Sequence, residues 1–131
     1  MAGLYLDTSA LGRILLAEPD AVAIRQALAD YDAWWSSALL IVELRRLAAR
    51  ENLEAIAERM LSGYEPSRST ASIERASRLQ PPEVRTLDAI HLDAAVELRG
   101  RSEVAAVLTY DRQLQTGCAH HGLPIEAPGV G

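Results

Sequence analysis

The sequence predicts an α/β domain, a sheet of short strands with helices on both faces. Three observations lead there. Short apolar runs that read as strands alternate with longer segments whose apolar residues recur every three or four positions. The run VAAVLTYD, 104–111, is apolar without alternation, as a central parallel strand buried on both faces must be. The 131 residues, 49% of them hydrophobic, suit a single domain over 1–131 with a substantial core, and no repeat or long linker interrupts them.

Each element follows in order. GLYLD, 3–7, reads as a strand, and Ser9 is a candidate N-cap for a helix to Ala17, ended by the Glu18-Pro19-Asp20 turn. A helix over about 20–31 spaces Ile24, Leu28 and Tyr31 along one apolar face. AWWSS is a second strand, and the helix after it opens at Ser36 or Ser37 with Leu40, Leu44 and Leu47 inward. Asn52 breaks that helix before another at about 53–62, closed by Gly63. YEPSRST lies where a third strand is expected, before a helix at about 70–79 that Pro81 and Pro82 end. From Arg85 to Leu98 the inner stripe reads Leu87, Ile90, Ala94 and Leu98, with Thr86 as cap. After the 104–111 strand come a short helix to His120 or His121, a Gly122 C-cap and an edge strand near LPIEA.

Composition removes several functions. There is no basic leader before the first apolar run, and AWWSSALLIV, bounded by Asp32 and Glu43, is too short to span a membrane, so a cytoplasmic protein without membrane attachment is expected. The lone Cys118 makes neither an internal disulfide nor a cysteine zinc site, and is expected to pack in the core. A net charge of −5 argues against a general nucleic-acid-binding field and leaves room for a local basic patch. All 13 basic residues are arginine. Without lysine there is no P-loop and no Schiff-base chemistry.

Acids stand where acids are unexpected. In open α/β sheets, functional groups gather beyond the carboxyl ends of the strands, where the strand order reverses. Asp7 and Asp111 each end an apolar strand and share one crevice if those strands are neighbours. Glu43 flanks an apolar helical stripe, and Asp88 occupies the first turn of a helix that is otherwise apolar inside. Each also has a structural explanation: strand-end capping for Asp7, an Arg46 pair for Glu43, the helix dipole for Asp88, an N-cap for Asp111. Converged, such acids would repel by about 3 kcal/mol per pair at roughly 5 Å and an effective dielectric near 20, so the cluster needs a cation or protons. Oxygen-only donors select Mg2+ or Mn2+ over zinc or copper, and ions so held serve phosphodiester cleavage.

Taken in order, LDTSAL, SALLIVELRRL, RTLDAIHLDAA and VLTYDRQL resemble the PIN-domain family, in particular the VapC toxins of toxin-antitoxin pairs. The resemblance covers nearly the whole chain. It implies a three-layer sandwich around a mostly parallel five-stranded sheet. It also implies a Mg2+- or Mn2+-dependent endoribonuclease, commonly homodimeric, acting on RNA and silenced by a VapB-like antitoxin. Carried over by position, Asp7, Glu43, Asp88 and Asp111 form the acidic, metal-holding site, with Thr8, Ser9 and Thr109 as hydroxyls beside it. Arg46, Arg50 and Arg112 are candidates for RNA phosphates, with surface salt bridges as the alternative. His91, one turn after Asp88, is within reach of the site, with a buried histidine holding a backbone partner as the favoured reading. Asp93, where relatives often carry alanine, lies about 140° round the helix from Asp88 and is expected at the periphery or an interface. One of Trp34 and Trp35 should be core and the other dimer or antitoxin surface. A noncatalytic PIN-like module that binds a partner or RNA without cutting is the competing reading. An aspartate-based phosphotransfer domain fits poorly, since no second acid follows Asp7 by two residues and no lysine exists to hold a phosphoryl group.

Overall fold

The computed structural model of the protein describes residues 3–64, 67–69 and 72–129, with the backbone alone at 64 and 67–69. Among these residues five strands form one sheet in the order β3-β2-β1-β4-β5, where β1 is Gly3–Leu6, β2 Trp34–Ser37, β3 Ser67–Ser69, β4 Val104–Leu108 and β5 Ile125–Glu126. Every pairing is parallel. Parallel neighbours require crossovers, and among the described residues seven helices supply them: α1 Thr8–Leu15, α2 Ala21–Ala29, α3 Leu39–Glu51, α4 Glu54–Tyr64, α5 Ile73–Ala76, α6 Thr86–Gly100 and α7 Arg112–His120.

Alternation along β1 builds two cores. Leu4 and Leu6 face one side, with Leu11 and Ile14 of α1, Ile24 and Leu28 of α2, Leu40 and Leu44 of α3, and Met60 of α4. Tyr5 faces the other, with Leu92, Ala95 and Leu98 of α6, Val107 of β4, and Leu114 and Cys118 of α7. Helices cover both faces, which makes the three layers expected. Cys118 is fully buried, as its packing role requires.

Gly3 shows why the first strand starts as it does. A Cβ there would lie 2.8 Å from Trp35, 2.9 Å from the Glu103 carbonyl and 3.0 Å from the Ala33 carbonyl, so only glycine lets the chain enter between β2 and β4. The register slips between Gly3 and Leu4, and from there Leu6 pairs with Leu108. Asp7 and Thr109 therefore leave the sheet side by side, at the carboxyl ends of the two central strands.

Local differences from the expected elements have physical causes. Helix α1 starts two residues early with Asp7 as its N-cap residue, while the Ser9 hydroxyl is drawn into the Asp7 carboxylate instead of capping. Asn52 does end α3, in the left-handed conformation at φ 57°. Gly63 does not end α4, which continues to Tyr64. Helix α5 is a single turn capped by Ser72, and the expected start at 70–71 lies outside the described residues. Arg85, not Thr86, is the N-cap residue of α6, without a side-chain cap bond. The inner stripe of α6 is also shifted: Leu87 is half-exposed, while Asp88, His91, Leu92, Ala95 and Leu98 are buried. Two polar residues on the true stripe make an apolar-only reading choose its neighbour.

Candidate active site

The crevice is assembled from four elements, and each acid is fixed by its own local chemistry. Asp7 is only 4% exposed. Its Oδ1 accepts from the Ser9 hydroxyl at 2.6 Å and its Oδ2 from the Thr109 hydroxyl at 2.7 Å. Ser9 in turn accepts from the Tyr110 N–H at 2.8 Å, and Thr109 from the Asp111 N–H at 3.0 Å. Hydroxyls after β1 and β4 thus lock the two strand ends together. Burial pushes the Asp7 pKa up and nearby Asp111 adds to this, against the charge of His91 and the two hydroxyl bonds.

Asp111 caps α7 through Oδ1, which accepts from Gln113 N–H at 2.8 Å and Leu114 N–H at 3.2 Å. It also faces Asp88. Burial, repulsion from Asp111, a carboxyl–carboxyl hydrogen bond to it, and the more distant Asp7 charge push the Asp88 carboxyl from 3.8 to about 7, with His91 opposing. Glu43 closes the group from α3. Its Oε1 accepts from the Thr8 hydroxyl at 2.7 Å and faces His91 Nε2 at 2.9 Å. Burial alone would raise its pKa, but the His91 and Thr8 bonds and the His91 charge outweigh burial and hold it low.

An open cleft of about 740 Å³ is lined by Glu43, Asp88, Asp111 and the segment 82–87, while buried Asp7 lies outside its lining. The donors are hard oxygens, and burial together with the neighbouring Asp111 and Asp7 carboxylates pushes the Asp88 pKa up, a concentration of acid that a divalent cation would offset. They fit such an ion in kind and in charge. Among the described residues, no three acidic, histidine or cysteine side chains form a finished ligand group.

A PIN-domain family model matches residues 4–118, from β1 into α7, and so spans every element that supplies an acid. The chain belongs to the PIN-domain family. Ribonuclease VapC47 of Mycobacterium tuberculosis is 35% identical over 135 residues, covering 97% of this chain and 98% of the relative. Ribonuclease VapC46 of the same species is 33% identical, covering 98% and 99%. Ribonuclease VapC35, also from that species, is 33% identical, covering 96% and 97%. The protein is therefore a VapC-like PIN domain, with the α/β fold of its family.

Within this PIN domain the expected acids and hydroxyls come together: Asp7, Glu43, Asp88, Asp111, Thr8, Ser9 and Thr109. The expected arginines do not join them. Arg46 and Arg50 project from α3 and Arg112 from the start of α7, all exposed and outside the lining of the cleft. Arg85 lines it instead, three residues before Asp88. The backbone-partner expectation for His91 is corrected: its ring is 2% exposed and both nitrogens meet side chains, Nε2 at Glu43 and Nδ1 at the Tyr5 hydroxyl, 2.8 Å away. The one-turn spacing from Asp88 was the signal that it could reach the site.

Asp93 is corrected as well. It is 3% exposed and accepts from Ser72 N–H at 2.8 Å and Arg75 Nε at 3.0 Å, so it ties α5 to α6 inside the molecule. Neither tryptophan is left on a detached surface. Trp34 packs on the first core and donates to the Leu28 carbonyl, and Trp35 packs on the second.

Proposed function

We propose that this protein is a Mg2+- or Mn2+-dependent endoribonuclease that cuts single-stranded or looped RNA and serves as the toxin of a toxin-antitoxin pair. One observation carries the proposal: Glu43, Asp88 and Asp111, from three separate elements of a VapC-like PIN domain, line one cleft, and burial together with the neighbouring Asp111 and Asp7 carboxylates raises Asp88 to about 7. Asp7, Glu43, Asp88 and Asp111 hold the cation, and Thr8, Ser9 and Thr109 orient the carboxylates. A bound divalent ion would activate water and stabilise charge on the phosphate. Arg85 on the cleft wall is placed to meet a phosphate, while Arg46, Arg50 and Arg112 would contact RNA farther along its path.

The full-length relatives named ribonuclease VapC support the activity, and through it a VapB-like antitoxin as partner. An apolar groove of about 490 Å³ beside the cleft, walled by Ala76, Leu79, Val84 and Ala89, gives support for a macromolecular partner. Half-exposed apolar side chains such as Val42 and Leu87 are compatible with a homodimer. No described helix is long and apolar enough to cross a membrane.

The test is cleavage of unstructured RNA by purified protein. Cleavage should stop with EDTA, return with Mg2+ or Mn2+, and fall by at least about a hundredfold in Asp7→Asn, because a misplaced ion forfeits several kcal/mol of transition-state stabilisation. RNA binding without cleavage under any divalent ion would replace this reading with the noncatalytic module.

A further inference from the structure

We infer that His91 is a positioning residue: it holds the Glu43 carboxylate toward the cleft and couples α3 to the helix that carries Asp88. The inference rests on the ribonuclease reading of the site, and its evidence is geometric. Glu43 sits at the edge of the crevice with its side chain 26% exposed, so a free glutamate would rotate into solvent. Two hydrogen bonds prevent this, from Thr8 at the start of α1 and from His91 on α6, and both meet Oε1. The second oxygen is left for other partners. A carboxylate only accepts, so Nε2 must carry the hydrogen on the Glu43 side. At the other edge of the ring, Nδ1 meets the Tyr5 hydroxyl from the middle of β1. Tyr5 is fully buried and stands edge-on to the imidazole at 76°, which fixes the ring plane as well as its hydrogen bond. The chain Tyr5, His91, Glu43, Thr8 thus runs from the sheet to the cleft through four elements. Outer-sphere partners of this kind commonly set ligand orientation, and removing them costs roughly ten- to a hundredfold in metal affinity or activity.

Three variants and one spectrum test this. His91→Leu removes both contacts at similar volume, His91→Gln restores a donor at similar reach, and Tyr5→Phe removes only the hydroxyl behind the ring. Mn2+ affinity of the apo protein is measured by calorimetry, kcat and KM on RNA are measured alongside, and the ring nitrogens of the wild type are observed by 15N NMR. His91→Leu should weaken Mn2+ binding and lower kcat by roughly ten- to a hundredfold with KM for RNA little changed, and His91→Gln should recover most of both. Tyr5→Phe should fall between wild type and His91→Leu, and Nε2 should be protonated. A folded His91→Leu protein with wild-type Mn2+ affinity and kcat would overturn the assignment. So would a folded His91→Gln protein that loses Mn2+ affinity in full, or an unprotonated Nε2. If His91→Leu does not fold, the glutamine variant and the spectrum still decide. Wild type that binds Mn2+ through His91-dependent Glu43 yet cuts no RNA would sink the ribonuclease reading alone.

Discussion

Asp111 performs two tasks with one carboxylate. Its Oδ1 caps α7, and the same group raises Asp88 across the cleft. The tasks separate by substitution. Asparagine keeps the cap acceptor and removes the charge, so Asp111→Asn should be at least as stable as wild type without metal, whereas Asp111→Ala should be about 1 kcal/mol less stable than Asp111→Asn by denaturant titration. Equal stability of the two variants would mean the cap contributes nothing. Asp88 gives a pH prediction whose sign follows from its raised pKa. The folded protein binds the Asp88 proton more tightly than the unfolded chain, so without metal stability should rise as pH falls from about 7 toward 5, and buried Asp7 shifts in the same direction. Glu43, held low, acts oppositely, and its contribution is lost only when pH falls below the usual 4.5. Asp88→Asn should flatten the rise between pH 7 and 5 in thermal melts, and an unchanged slope would contradict the electrostatic account.

Among the elements, α6 was the hardest to read and carries the most. Its inner face holds Asp88 and His91 for the cleft and, on the adjoining side, Asp93 for α5. Hydrophobic periodicity marks a helix here but cannot phase one whose buried stripe contains polar groups, which is why Leu87 was expected inside and Asp93 outside. What satisfies Asp93 lies about twenty residues away in a single-turn helix with little periodicity of its own, and such a partner is invisible to local pattern. By contrast Asp7, Asp111 and the central strands were legible because an uninterrupted apolar run ending in an acid has few other uses. The anchor has a measurable cost. Asp93→Ala leaves the Ser72 N–H without its acceptor and should destabilise the fold by about 1–3 kcal/mol, mostly through that lost bond because Arg75 is half-exposed and returns to water. A loss under about 0.5 kcal/mol would show α5 held by its apolar contacts instead.

At the scale of the whole molecule, the sheet order decides where chemistry can occur. With β1 flanked by β2 on one side and β4 on the other, successive crossovers diverge at the β1–β4 boundary and leave a crevice at the strand ends. Asp7 enters it directly after β1 and Asp111 from the N-cap of α7 beyond β4, and Glu43 and Asp88 come from the helices of opposite layers. No single layer could supply all four acids. A cation binding there should therefore stabilise the entire fold: millimolar Mn2+ should raise the melting temperature of wild type and raise it far less in Asp7→Asn. The central claim is that water activated at this acidic cluster, and not the ribose 2′-OH, attacks the phosphate. The chemical ends of the RNA fragments report that choice directly. The account predicts 5′-phosphate and 3′-hydroxyl ends from wild-type protein with Mg2+ or Mn2+, and fragments ending in 2′,3′-cyclic phosphate would contradict it.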